Sequence, residues 1–584
     1  MAIPINTIIR NATRKYLSGL DPKNPPPASV IEEKLLDQVN AGINAENVGR
    51  AKNHLMPLLQ KLTNTQIAQV MLRLNRVVRI APSGKNTDRD LDMLAIYAAD
   101  GEDEGIYLTS EDSFRSVARE YNYSLTTKDF IEIRAALMDS APRTFRCDDR
   151  DMIAVKNGIF DYRKKQLRPF SPALVFVSKS RVAYNPLAVN VPIKHPADGT
   201  VWDVESWMSE LSDDPEIVEL LWQILGAIIR PHVRWNKSAW FYAEQGNNGK
   251  GTLCALMRNL TGPSTYASIP INDFGKEFLL EPLARASAII VDENDVGTYV
   301  DKAANLKAVI TNDVISINRK HKVPIAYQFW GFMVQCLNEF PRIKDRSDSF
   351  YRRQLFVPFT KCFTGAERKY IKDDYLNRED VLEYVLKRVL HMDYYELSEP
   401  EATKLVLDDY KLFNDPLREF FEEFEEQFAW DLLPFPFLYD LYRAWFTKTR
   451  PSGSPIGRNT FIKEIATIAR GSQMWDCPDR SVNIRSGNKF KDPEPLVIEY
   501  DLKDWMNKSY TGTGPQRALL HPVKANYRGL QRRLFAGTGS DGDRGTADGE
   551  PSGFTDSSDT PFTADPGNGP ADAEAAGQAA NTTN

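Results

Sequence analysis

The sequence predicts an α/β protein: a mainly parallel sheet with crossover helices, a helical segment before it, and a small aromatic-rich domain and acidic tail behind it. Three observations predict this. From Ser238 to about Thr360, apolar runs of strand length alternate with helical segments, the pattern of a parallel sheet. Upstream, Leu55, Leu58, Leu59, Leu62 and then Ile67, Val70, Met71, Leu74 recur at helical spacing. Downstream of Gly537 large apolar residues almost vanish, and such a stretch cannot bury enough surface to offset its ordering entropy.

Composition narrows the class. The chain has 584 residues, 42% hydrophobic and 26% charged, enough for several ordinary globular cores. The longest apolar stretch, Leu220–Ile229, is interrupted by Gln223 and falls short of the roughly 18 residues a membrane helix needs. The N-terminus lacks the apolar region and cleavage site of a signal peptide, so no membrane association or export is expected. Cys147, Cys254, Cys336, Cys362 and Cys477 are scattered, with neither a C-x-x-C pair nor a histidine at ligand spacing, which argues against zinc and disulfides. The net charge of −6 is misleading, because from Gly537 onward nine acidic residues face one arginine. The body is slightly basic, and local clusters of Lys and Arg carry the information about nucleic acid.

Read in order, residues 1–27 are polar, end in a proline run and are expected to form a flexible arm. Residues 28–150 read as a helical domain, with a helix start near Asn64 and further helices over Leu91–Ala99, Asp112–Tyr121 and Thr127–Leu137. Residues 151–205 form a β-containing connector, with a hairpin about Lys156-Asn157-Gly158. Residues 206–395 hold the α/β core with flanking helices. Residues 415–505 form the small C-terminal domain, 506–535 a basic linker and 536–584 a disordered acidic tail.

The chemistry is concentrated in the core. Ser238–Tyr242 is strand-like and leads into Gly246-Asn247-Asn248-Gly249-Lys250-Gly251-Thr252, after which a helix begins. Glycines let backbone N–H groups approach phosphates, and the helix offers its positive N-terminal end. The stretch reads as a P-loop rather than a plain Gly/Asn-rich turn: Lys250 is expected to neutralise β- and γ-phosphates, and Thr252 to serve Mg2+. The pattern G-x-x-x-x-G-K-[ST] is broken twice, by Glu244 at the first glycine and by Gly251 after the lysine. About forty residues on, Ala288-Ile289-Ile290-Val291 ends in Asp292-Glu293. Adjacent carboxylates closing a buried strand are costly without a cation. Asp292 is expected to support Mg2+-bound water and Glu293 to polarise the attacking water. Phe332–Leu337 ends in Asn338, suited to orient water against the γ-phosphate. Arg352 and Arg353 precede a further apolar strand, and one of them is expected to stabilise charge on the transferring phosphoryl, often on a neighbouring subunit's nucleotide.

These four elements, in this order, resemble the superfamily 3 helicases of the AAA+ ATPases, and within them the phage/plasmid and poxvirus primase-helicases. MIAVKNGIFDYRKKQLRPFSP resembles that family's N-G-[VI]-[LF]-D and F-S-P segment. Ile310–Pro324, ITNDVISINRKHKVP, resembles its G-D-x-I-x-A-R-x-K-Y-K-x-P element, with Asn312 in place of Gly, Ile317 of Ala, Asn318 of Arg and His321 of Tyr. NDPLREFFEEF, LLPFPFLYDLYRAWF and IGRNTFIKEI resemble its C-terminal winged helix. The resemblance implies a P-loop AAA+ core, ATP and Mg2+, and a ring, hexameric by analogy, moving 3′ to 5′ on single-stranded or forked DNA. It also implies a phage or plasmid source in a bacterial cytoplasm, with host or phage replication proteins as partners.

Within that family Arg319, Lys320, His321 and Lys322 form a hairpin that projects into the ring channel, where basic residues track phosphates without reading sequence. Arg458 and Lys463 on a recognition helix, and Arg517, Lys524, Arg528, Arg532 and Arg533, are further candidate DNA contacts. Neither a zinc motif nor a D-x-D carboxylate cluster for a primase is visible. The competing readings are an initiator or loader that hydrolyses ATP without processive unwinding, and a bifunctional primase-helicase.

Overall fold

A five-stranded parallel sheet stands at the centre of the computed structural model, which describes residues 3–22, 24–82, 89–320, 322–365, 368–450, 454–477 and 479–533. Its strands are β1 (Ser238–Tyr242), β2 (Tyr266–Ala267), β3 (Ala288–Val291), β6 (Phe332–Leu337) and β7 (Gln354–Pro358). Between β3 and β6 the chain makes an antiparallel hairpin of β4 (Val314–Arg319) and β5 (Lys322–Gln328). The sheet order is β2-β3-β6-β1-β7, every pairing parallel.

The strands are continuously apolar because both faces are covered. Ala239 and Phe241 pack into one core with the helix Pro215–Ile229 and the helix after β1, α1 (Lys250–Thr261). Trp240 faces the other way, into a core with Phe274, Tyr327 and Phe356. Helix Glu401–Asn414 belongs to this second layer, since Tyr410 sits 4.9 Å from Phe356 and 5.3 Å from Phe340, ring centre to ring centre. The core segment expected to end at residue 395 therefore runs to Asn414, whose side chain also accepts a hydrogen bond from the Ile343 amide.

Three expectations for the flanks are corrected. The arm 1–27 contains a helix, Ile5–Ser18, that buries Ile8, Thr13 and Leu17 against the N-terminal core. Its apolar residues recur every three or four positions, which outweighs the polar composition. The stretch Leu91–Ala99 holds a strand, Met93–Tyr97, in a four-stranded sheet with Val77–Ile80, Tyr107–Leu108 and Arg143–Thr144, so the N-terminal region is mixed rather than helical. Buried Leu94, Ala95 and Ile96 fit a strand covered on both sides, which periodicity alone does not separate from a helix. Residues 506–535 are no linker: Gly529–Arg532 is the middle strand of a three-stranded antiparallel sheet, between Leu432–Pro434 and Trp475–Asp476. Leu530 is fully buried there, and Arg532 pairs with Asp431 while its guanidinium lies over Trp475. That sheet and the helices Pro416–Phe424, Phe435–Thr449 and Arg458–Gly471 share one aromatic core. Arg458 and Lys463 are exposed on the last of these helices.

Other elements lie close to where they are expected. Helices run over Glu111–Tyr121 and Thr127–Ser140, the hairpin strands are Met152–Val155 and Gly158–Asp161, and Thr63 caps the helix beginning at Asn64. The acidic tail 536–584 and His321 lie outside the described residues. Among the described residues no helix is long and apolar enough to cross a membrane.

One buried cation ties the connector to the core. Arg230, with no solvent exposure, sits 3.6 Å from the ring centre of Tyr162, 5.2 Å from Trp235, 5.0 Å from Tyr394 and 5.1 Å from Tyr395, and donates to the Tyr394 carbonyl at 2.8 Å. Ring faces offset part of the desolvation of the guanidinium. Arg230→Ala is expected to lower stability in urea denaturation by about 2–4 kcal/mol, from lost cation–π contacts and the cavity left behind. Lys404→Ala, at an exposed pair with Glu401, should change it by no more than about 0.5 kcal/mol.

Candidate functional site

The site lies where β1 and β6 end side by side. The loop after β1 turns through two left-handed residues, Asn247 (φ 53°) and Gly249 (φ 89°), before α1 begins at Lys250. At Gly249 a Cβ would also lie 2.6 Å from Leu211, so glycine is required twice over. The loop is held by its surroundings: the Asn247 carbonyl accepts from the Phe363 amide at 2.7 Å, and the Asn247 amide group donates to Thr364 at 3.3 Å. Asn248 is buried, and its side-chain oxygen accepts from the Lys250 amide at 3.3 Å. Gly246 and Gly251 have open space where a side chain would stand. The Gly251 departure from the P-loop pattern is thus not forced by crowding.

Lys250 is buried, at 5% exposure, and its ammonium reaches the ends of both central strands. It donates to the Leu337 carbonyl at 2.8 Å, to Asn338 Oδ1 at 2.8 Å and to the Ala243 carbonyl at 3.3 Å. Burial holds it below the ordinary lysine pKa, and among the described residues no carboxylate pairs with it. Behind it Cys254 on α1 and Cys336 on β6 meet, sulfur to sulfur, at 3.4 Å, both buried. A buried ammonium held by neutral oxygens keeps an uncompensated charge that attracts anions.

Asp292 and Glu293 leave β3 two positions across the sheet from β1, both exposed. Asp292 is gripped by Arg258 of α1 through two contacts, 2.8 and 3.0 Å, and that hydrogen-bonded pairing holds its carboxyl below the usual range. The acidic loop is fixed by buried amides. Asn294 donates to Gln335 Oε1 at 3.0 Å and to the Cys336 carbonyl at 3.1 Å, and accepts from the Ile271 amide at 2.9 Å. Gln335 in turn donates to the Ile269 carbonyl at 3.0 Å. Arg258, Asn294 and Gln335 were not singled out in the sequence. Gln335 carried a signal, a lone amide inside the apolar run Phe332–Leu337; Arg258 and Asn294 carried none short of the fold.

Beside the loop, Trp207, Leu211, Phe363 and Ile371, with Asn247, Gly249 and Thr252, line a cavity of about 470 Å³, bordered by Arg368, Lys369 and Lys372. Arg368 pairs with Glu210 at its rim. The size suits an organic ligand of nucleotide dimensions, and the lining is half apolar and half polar, with Glu210 and Asp373 among its charged groups. A Mg2+ held by Thr252 and Asp292 would have to share the Asp292 carboxylate with Arg258, which engages both of its oxygens.

The remaining predicted residues lie elsewhere. Gln354 pairs with Ser238 at the start of β1, whereas the P-loop follows Tyr242. Arg352 and Arg353 therefore stand at the opposite end of the sheet, about 16 Å from their own P-loop at strand rise. The two differ: Arg353 donates to the Ser349 carbonyl and, at 2.9 Å, to its hydroxyl, whereas Arg352 is exposed and has no ion pair among the described residues. The hairpin β4–β5 anchors Ile315, Ile317, Ile325 and Tyr327 in the core and carries Arg319 and exposed Lys320 at its tip. Lys322 opens β5 opposite Arg319. Asn312, at the hairpin base, has φ 54° and donates to the Phe329 and Gly331 carbonyls, which explains an Asn where the resembled family has Gly.

Comparisons with known proteins match three stretches of the chain. Residues 60–226 match a family described as D5 N terminal like, and residues 413–480 one described as Poxvirus D5 protein-like. Residues 241–353, which hold the site, match a family of unknown function, DUF5906. No curated protein is matched. Among solved structures the chain is similar to the apo C-terminal region of NrS-1 at 14% identity, covering 79% of this chain and 95% of that one with a TM-score of 0.36. A second form of that region, 305–718, is matched over 81% of this chain and 100% of that one, at 14% identity and a TM-score of 0.38.

The Arg258 grip makes a titration prediction. Asp292 has a depressed pKa in the folded state, so its contribution to stability is present above the unfolded value of about 3.9 and is lost as pH falls through the lower folded value. In carbon-detected NMR the Asp292 carboxyl should titrate below about 3.9 in the wild type and return to the ordinary range in Arg258→Ala. An unchanged titration would mean that the pair does not form in solution.

Proposed function

We propose that this chain is an ATP-driven DNA motor of the superfamily 3 helicase type, acting in the replication of a phage or plasmid genome. The observation that carries the reading is the Lys250 ammonium, buried at the ends of β1 and β6, tied to Asn338 and without a carboxylate partner among the described residues. ATP supplies the missing anion: its phosphates lie over the Gly249–Lys250 turn and the N-terminus of α1, and its base and sugar enter the cavity beside Trp207 and Phe363. The sheet order supports an additional-strand P-loop core of AAA+ kind, because sensor strand β6 separates the P-loop strand from the acidic strand. The matches to D5-type models before and after the core support the same family.

In this reading Lys250 neutralises the γ-phosphate, Asn338 orients the attacking water and Glu293 polarises it. Mg2+ bound with the nucleotide supplies charge neutralisation at the phosphates, held from the protein side by Thr252 and Asp292. Arg352 serves a neighbouring copy: it is the uncommitted arginine of the pair, and it faces away from its own P-loop. Head-to-tail use of that arginine closes copies into a ring, and Arg319, Lys320, His321 and Lys322 then line its channel. The three helices and the three-stranded sheet of residues 416–532, its strands ordered first, last, second, support a winged helix.

ATP hydrolysis measured with and without single-stranded DNA tests this. The wild type should be stimulated by DNA, and Lys250→Ala should lose about 100-fold or more in rate. Arg352→Ala alone should be inactive, but mixing it with Lys250→Ala should restore part of the rate, because each supplies what the other lacks. Hydrolysis that depends on Lys250 but ignores DNA would favour a loader or initiator. Wild-type protein without hydrolysis would overturn the motor.

A further inference from the structure

The N-terminal region carries a groove that the ATPase site does not use. It runs between the helices Ile5–Ser18 and Asn64–Leu74. Two adjoining hollows of about 560 and 370 Å³ share Arg10 and Gln69 in their walls. Arg14 and Arg73 line the first, Thr7 and Thr65 the second, and no carboxylate lines either.

The groove is built, not incidental. Gln66, buried beneath it, donates to Thr13 at 3.1 Å and locks the two helices together. Arg73 donates to the Leu17 and Leu20 carbonyls at 3.2 and 3.0 Å, which closes the end of the first helix and fixes its guanidinium in the wall. Arg10 and Arg14, by contrast, are exposed and make no ion pair among the described residues. They stand four residues apart, about 6 Å along the axis, a spacing close to that of successive phosphates on an extended strand.

Charge is segregated around this groove. Helix Ile5–Ser18 carries Arg10, Arg14 and Lys15 and no acid, and helix Asn64–Leu74 carries Arg73 and no acid. The neighbouring helix Ala28–Asn47 is net acidic, with Glu32, Glu33, Asp37 and Glu46 against Lys34. Interspersed charge would suit solubility alone; one-sided charge focuses a field. The rest of the wall mixes the apolar side chains Ile9, Leu17 and Leu72 with hydroxyl and amide groups, and the latter hydrogen-bond phosphate and sugar without reading sequence.

The geometry points to a second nucleic-acid contact: the phosphodiester backbone of a single strand lies in this groove, with Arg10 and Arg14 on consecutive phosphates. The inference stands apart from the ATPase reading, because it concerns binding without nucleotide.

Fluorescence anisotropy of a labelled oligothymidylate on the full chain, without ATP and over a salt series, tests it. Variants are made on an Arg319→Ala/Lys320→Ala background, so that the hairpin does not dominate. Arg10→Glu/Arg14→Glu should weaken binding about tenfold or more and lower the slope of log K against log salt by about 1.4, the value for two phosphates on a single strand. Arg10→Lys/Arg14→Lys should keep the slope. Circular dichroism should be unchanged, as both residues are exposed. An unchanged affinity and slope in the charge-reversed protein would overturn the inference. So would displacement of the oligonucleotide by duplex DNA or polyglutamate at equal charge concentration, which would make the groove a duplex or acidic-protein site.

Discussion

The site depends on one arrangement: an ammonium buried between two strand ends with only neutral oxygens to hold it. Lys250 bridges the Ala243 carbonyl after β1, the Leu337 carbonyl of β6 and the Asn338 side chain. Those bonds keep the charge tolerable in a dry site but leave it uncompensated. In the proposed reading a phosphate competes for the same ammonium, and Asn338 would lose a partner as Lys250 gains one, so that anion binding at the loop would be felt directly at the tip of the neighbouring strand.

From β6 the chain leads back to the hairpin. Asn312 fixes the hairpin base to the start of β6 through the Phe329 and Gly331 carbonyls, and Gln328 returns a bond to the Asn312 carbonyl at 2.8 Å. One end of β6 therefore meets Lys250 and the other meets the element that carries Arg319 and Lys320. Arg352 occupies that far end as well, so it and the hairpin tip stand away from the Lys250 loop. The acidic loop is pinned to the same strand by Asn294 and Gln335, so a shift of β6 moves Asn338, the acidic loop and the hairpin together.

Much of this core was legible because its signals are local. A strand, a loop with Gly249 and Lys250, a second strand closed by Asp292 and a third closed by Asn338 follow from apolar runs and their end residues. What escaped depends on contacts distant in sequence. Arg258 meets Asp292 only once α1 packs beside β3, and Asn294 gains meaning only from Gln335. The helix Ile5–Ser18 was hidden by its polar composition, although Ile5, Ile8 and Ile9 already carried its spacing. Strand Met93–Tyr97 was read as helix because a run buried on both faces has no period to betray it. Gly529–Arg532 was taken for linker because four residues among basic neighbours mark no strand until Leu433 and Trp475 flank them.

The most direct test of the central claim is calorimetric binding of a non-hydrolysable ATP analogue with Mg2+ to the wild type and to Lys250→Met, which keeps the stem and removes the charge. The account predicts binding to the wild type that weakens at least about tenfold, 1.4 kcal/mol or more, in the variant. Equal affinity in both would contradict it, because the ammonium would then contribute nothing to holding phosphate.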